Sequence, residues 1–153
     1  MHSDQHAALL SALYSAFTTI PFNQLLGLRL DHLDAKQVIM SFHMRDELVG
    51  NFLYGILHGG VIASVLDMAG GMAVMSSVLH ANLDKTQDEI AHLLGKVSTI
   101  DLQISFLRPG KGEWFKISAD LVKRGSKISF ARMLLLNDQE VEIAAAQGTY
   151  AVS

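Results

Sequence analysis

The chain has 153 residues, half of them hydrophobic and 18% charged, with a formal net charge of −3 and no cysteine. That length suits one domain with a full core and apolar surface left over for a subunit interface. The lack of a basic excess argues against nucleic acid as a main partner, and the lack of thiols excludes disulfides, a thiol nucleophile and zinc–thiolate sites.

The N-terminus, Met1-His2-Ser3-Asp4-Gln5-His6, has no positively charged run of the kind that opens a secretory signal, so a cytoplasmic protein is expected. Residues 4–18 place Leu9, Leu10, Leu13, Tyr14 and Phe17 at helical spacing, with Asp4 as a cap. Pro21 ends this helix, and Pro21 to Gly27 reads as a turn or half-helix with apolar teeth. Leu28–Leu33 and Lys36–Met44 alternate as two strands, with Val38, Met40 and Phe42 on one face. Arg45–Tyr54 reads as an irregular loop leading into a long helix from about His58 to Leu79. Asp67, His58, glycines and serines within that run argue against a membrane span. His80–Leu94 is polar with a short helix over Thr86–Leu94, as a lid or a surface excursion. Four strands follow: Lys96–Leu107, Glu113–Lys123, Ile128–Leu136 and Val141–Val152, separated by turn residues. A single long apolar helix must be covered all round, and an antiparallel sheet curled around it does so. The expected class is α+β in one domain over residues 1–153, with a core from about 21 to 152.

The stretch Ile56 to Ala69 organises this plan. His58-Gly59-Gly60 opens the long helix and leaves bare backbone N–H groups where the helix dipole is positive. Such a start can hold a carbonyl oxygen that turns negative during reaction. Asp67 is the one carboxylate in the apolar run, and a buried carboxylate without a partner is expensive unless it has work to do. It lies nine residues after His58, roughly half a turn past two full turns and about 13 Å along the axis. If both serve one site, a second copy must supply one of them, which predicts a dimer with shared sites.

Gly55 to Asp67, with Ser98-Thr99-Ile100-Asp101-Leu102 and Phe106-Leu107-Arg108-Pro109-Gly110, resembles the hot-dog-fold acyl-CoA thioesterases of the PaaI-like type. Pro21-Phe22-Asn23, Val49-Gly50-Asn51 and Gly112-Glu113 resemble a bacterial medium/long-chain branch of that family. The resemblance implies a hot-dog fold, a curved antiparallel sheet wrapped around the central helix, and hydrolysis of fatty acyl-CoA to free acid and CoA. It implies that Asp67 is the catalytic carboxylate, as nucleophile or as base for water. It implies that the N–H of Gly59 polarises the thioester carbonyl, that His58 caps or orients the loop, that Thr99 holds the water or carboxylate, and that Asn51 contacts the carbonyl. It further implies dimers or tetramers with sites at the dimer interface, no metal, and no cofactor beyond the CoA carried by the substrate. Neither nucleic acid nor membrane is an expected partner.

Substrate contacts are expected from Gly60 and from basic turn residues that could meet the CoA phosphates: Arg108, Lys111, Lys123, Arg124 and Lys127. Phe52, Leu53, Tyr54, Met68, Met72 and Met75 could line an acyl tunnel, methionines being adaptable to flexible chains. Each also has a plainer role, as cap, strand threonine, solvated turn or core residue. His2, His6, His32, His43, His80 and His92 show no ligand spacing and read as surface or packing residues. Alternative activities are hydration or dehydration of an acyl thioester, an aryl-CoA or carrier-protein thioesterase, and a non-catalytic acyl-CoA sensor.

Overall fold

The computed structural model describes residues 2–153. Helix α1 (His2–Thr19) is followed by α2 (Pro21–Leu26) and by strands β1 (Arg29–Leu33) and β2 (Gln37–His43). A 3-10 turn (Asp46–Leu48) leads to β3 (Val49–Asn51) and β4 (Ile56–Leu57), then to α3 (Gly59–His80) and α4 (Gln87–Leu94). The chain ends in β5 (Ser98–Phe106), β6 (Trp114–Lys123), β7 (Ile128–Asn137) and β8 (Glu142–Ala151). The expected elements are present within a few residues. The segment Arg45–Tyr54 is more ordered than expected: β3 and β4 form a small hairpin sheet of their own.

Six strands form one antiparallel sheet in the order β1-β2-β6-β7-β8-β5. Val38, Met40 and Phe42 share the inner face, as their alternation predicts, and all three are fully buried. Phe42 pairs in register with Phe115, and their rings stack at 5.2 Å. Ile117, Ala119, Ala131, Met133 and Leu135 continue this face from β6 and β7, and α3 lies across it. Although α3 is long and apolar enough to cross a membrane, 61% of its apolar window is buried inside the fold.

The sheet does not wrap α3 completely. Gly60, Ser64, Asp67 and Gly71 recur at helical spacing and form a strip that stays half-buried or exposed. Asp67 is therefore half-buried, not enclosed as its apolar surroundings suggest. Strand β5 is an edge of the sheet, nine residues long, and most of it is exposed, including Ile100 and Phe106. A bulge at Ile100 lets Thr99 pair with Tyr150 and Asp101 with Thr149. The extra residue changes the parity of the strand, so Thr99 and not Ile100 faces α3 beside Tyr150.

Candidate active site

The start of α3 is built by a close approach of two loops. His58 is the N-cap, and its Nδ1 accepts the Gly60 N–H at 2.7 Å. The His58 backbone N–H is held by the Leu48 carbonyl at 2.8 Å, and the neighbouring Leu57 N–H by Gly110 at 2.9 Å. Gly50 leaves the room for this: a Cβ there would collide with the backbone and Cβ of His58. His58 thus caps the helix, as expected. Gly60 departs from expectation, because its N–H is already taken by His58 and is not offered to a substrate. Gly59 is different. Its N–H has no acceptor among the described residues, and a Cβ there would meet only the Phe106 ring, at 3.5 Å. The free donor at the positive end of α3 is therefore the Gly59 N–H, where an oxyanion gains most.

Eight residues further along α3, Asp67 is held from the sheet. Thr99 Oγ1 donates to Asp67 Oδ1 at 2.8 Å. Tyr150 Oη lies 3.3 Å from the same oxygen and 3.2 Å from the Asp67 carbonyl, so one phenol proton is shared between them. Asp67 Oδ2 has no donor among the described residues. One oxygen is fixed and the other is open to react. Tyr150 is 1% exposed, and its pKa is driven well above the ordinary tyrosine range by burial first, then by the charge of Asp67 and the hydrogen bond to it. The phenol stays protonated and acts as a donor at every working pH.

Tyr150 was not anticipated from the sequence. Its ring stands in a slot between Gly70 of α3 and Gly148 of β8, where any Cβ would collide with it. The pair Gly70-Gly71 was the available signal. Glycine in the middle of a helix costs about 1 kcal/mol against alanine, so it marks a place where something approaches closely.

The other expected site residues are scattered. Asn51 uses its side-chain oxygen to accept the Leu53 N–H at 3.1 Å and closes the β3–β4 turn, leaving only its amide N–H groups to donate. Phe52, Leu53 and Tyr54 stand on the tip of that hairpin, 87%, 71% and 72% exposed, and line no tunnel within this chain. Met68, Met72 and Met75 do pack into the interior. The basic residues divide between two ends of the sheet. Arg108 sits at the Phe106 end, its guanidinium on the Glu142 carbonyl at 3.0 Å, and Lys111 follows with its carbonyl held by Asn137. Arg124 and Lys127 lie in the β6–β7 turn at the Thr99 end, where the Lys127 carbonyl accepts from Val152. Lys123 ends β6 at that same side.

Gly59 and Asp67 share one straight helix and are about 12 Å apart along its axis. The half-turn offset from His58 is not what separates them, since Gly60 and Asp67 occupy one strip. The axial distance separates them, and a single thioester carbonyl cannot reach both in one chain.

Comparisons with known proteins bear on the fold and the family. A family model described as the thioesterase superfamily matches residues 54–144, which include α3 and strands β5, β6 and β7. The medium/long-chain acyl-CoA thioesterase YigI of Escherichia coli K12 is 39% identical over 133 residues, covering 87% of this chain and 86% of that protein. A Shewanella oneidensis protein related to the thioesterase superfamily superposes with a TM-score of 0.92 at 36% identity, covering 97% of each chain. A thioesterase family protein from Silicibacter pomeroyi superposes with a TM-score of 0.75 at 26% identity, over 94% of this chain and 96% of that one. With the family match across more than half of its length, and the same sheet and helix in its relatives, this chain belongs to the thioesterase superfamily, whose members hydrolyse thioesters.

Proposed function

We propose that the protein hydrolyses medium- to long-chain acyl-CoA to free acid and CoA. The observation that carries this reading is the state of Asp67: Oδ1 is pinned by Thr99 and Tyr150 while Oδ2 is free. The substrate class is supported by the likeness to the Escherichia coli enzyme. The thioester carbonyl accepts the Gly59 N–H. Asp67 Oδ2 then takes a proton from water as the water oxygen adds to the carbonyl carbon, or it adds to that carbon itself and water cleaves the resulting anhydride. In either route the C–S bond breaks, the electron pair leaves on the CoA sulfur, and the proton taken from water returns to that thiolate. Water and this chain's residues supply every step, and CoA enters only as part of the substrate. Hydration chemistry would need His58 as a base, but its Nδ1 is occupied by the Gly60 N–H.

The site is proposed to form between two copies of the chain. A long exposed edge strand invites pairing unless it is covered. An antiparallel two-fold pairing of β5 with its counterpart sets Thr99 of one copy near Phe106 of the other. Phe106 covers Gly59 and Thr99 holds Asp67, so the pairing carries Asp67 of one copy toward Gly59 of the other. It also carries Arg108 and Lys111 toward Arg124 and Lys127, joining the two basic ends for the CoA phosphates. We read the chain as one domain over residues 1–153, acting in the cytoplasm as this dimer and as a dimer of dimers. The exposed apolar tip Phe52-Leu53-Tyr54 supports further burial in such an assembly.

Thiol release from a panel of saturated acyl-CoAs plus phenylacetyl- and benzoyl-CoA tests the substrate class. Highest kcat/KM is expected on medium to long saturated chains. Turnover of the aryl thioesters alone would overturn that class, and binding without release would make the protein a sensor.

A further inference from the structure

An apolar pocket of about 360 Å³, open to solvent along Ile20, Gln87 and Ala91, lies between α1, α3 and α4. Leu13 and Phe17 of α1, Met72 and Met75 of α3, and Ile90 and Leu94 of α4 form much of its wall, and Gln87 is the one polar side chain on it. The volume is that of a small-molecule site, and the chemistry at Asp67 does not account for it.

Its α3 wall begins at Met72, about one helical turn beyond the reacting carboxylate. Met68, Met72, Met75 and Leu79 recur at helical spacing and share one face. Met68 directly follows Asp67, and Met72, one turn on, is already on the cavity wall. From Met68 to Leu79 the stripe runs about 16 Å at 1.5 Å per residue. An extended saturated chain advances about 1.3 Å per carbon, given C–C bonds of about 1.5 Å, so the stripe matches about 12 carbons. At the Asp67 end stands Asn23, 1% exposed, whose Nδ2 donates to the Phe17 carbonyl at 3.0 Å and to Met68 Sδ at 3.7 Å. Met68 is thus held at the head of the stripe by a weak bond to a flexible thioether, which an incoming chain can displace.

We propose that this cavity is the acyl-chain chamber of the Asp67 site, admitting a saturated chain of about a dozen carbons past Met68 and along Met72 and Met75. The proposal rests on the thioesterase reading above and adds where the chain lies and what limits its length. Ala12 and Ala91 face the cavity from α1 and α4, so Ala12→Phe and Ala91→Leu shorten it from opposite walls.

The test is kcat/KM for thiol release across saturated acyl-CoAs from butyryl to stearoyl, for the wild-type full chain and both variants. In the wild type, kcat/KM is expected to climb by up to about fourfold per methylene as the chamber fills, then level near lauroyl or myristoyl. In the variants the levelling moves to shorter chains, and the lauroyl-to-butyryl ratio falls by about tenfold or more. Should Ala12→Phe not fold, Ala91→Leu carries the comparison, since Ala91 is largely exposed on α4. An unchanged ratio in a folded variant would overturn the chamber and leave the thioesterase reading intact. A wild type that hydrolyses none of the series would overturn that reading itself.

Discussion

Asp67→Asn is expected to lower kcat for acyl-CoA by about a hundredfold to ten-thousandfold, the range for loss of a positioned base, with a smaller change in KM. The substitution keeps the shape of the side chain. Thr99 and Tyr150 can still donate to an amide oxygen, so the fold and the slot around Tyr150 persist. The Gly59 N–H is untouched and still meets the substrate carbonyl. Only the free oxygen is lost, since an amide nitrogen at that place neither accepts a proton from water nor attacks a thioester. Initial rates and a melting curve on the same preparation check this. Turnover within about tenfold of wild type would remove Asp67 from the chemistry.

Gly70→Ala should be the most damaging small change in the core. A Cβ at Gly70 collides with Tyr150 Oη, comes within 2.9 Å of its Cζ and within 2.9 Å of Met133 Sδ. Alanine gains about 1 kcal/mol in helix propensity over glycine. Overpacking of a rigid ring costs about 1–3 kcal/mol, occasionally more, and Tyr150 has no room to yield, because Gly148 closes the other side of its slot. With the ring unable to yield, the cost sits at the upper end of that range, and the net loss of about 2 kcal/mol lowers Tm by about 4–8 °C in a chain of this size. The displaced phenol also releases Asp67 Oδ1, so kcat falls with stability. Adding Tyr150→Phe to Gly70→Ala should recover part of the loss, because it removes the atom in closest conflict at the expense of one hydrogen bond of about 1 kcal/mol. A Gly70→Ala protein as stable as wild type would mean that the slot is not tight.

The elements that sequence resolves best here are those whose physics is local. Val38, Met40 and Phe42 declare a buried face by alternation alone, and His58 followed by two glycines declares a helix start. Asp67 stands out because no other charge shares its apolar run. What escaped depends on contacts between distant segments. Tyr150 reads as an ordinary strand aromatic until Gly70 of α3 is packed against it. The bulge at Ile100 cannot be inferred from Ser98-Thr99-Ile100-Asp101, yet it decides that Thr99 faces the carboxylate. Arg108 and Lys127 look like members of one basic set, but strand direction sends them to opposite ends of the sheet. Phe52 looks like tunnel lining by composition, and a tight hairpin turn closed by Asn51 puts it in solvent.

The proposed site combines Asp67 of one copy with the Gly59 N–H of another. The most direct measurement is acyl-CoA hydrolysis by a purified heterodimer of Asp67→Asn and Gly59→Val chains, isolated through two different affinity tags. A valine at Gly59 leaves the N–H in place but stands over it, and its Cβ has ordinary clearance from Phe106. Each variant alone should be a folded dimer with almost no turnover. The heterodimer holds one intact site and one doubly damaged site, so about half the wild-type rate per dimer is expected. A heterodimer as inactive as its folded, dimeric parents would place both groups' work within one chain and contradict the shared site.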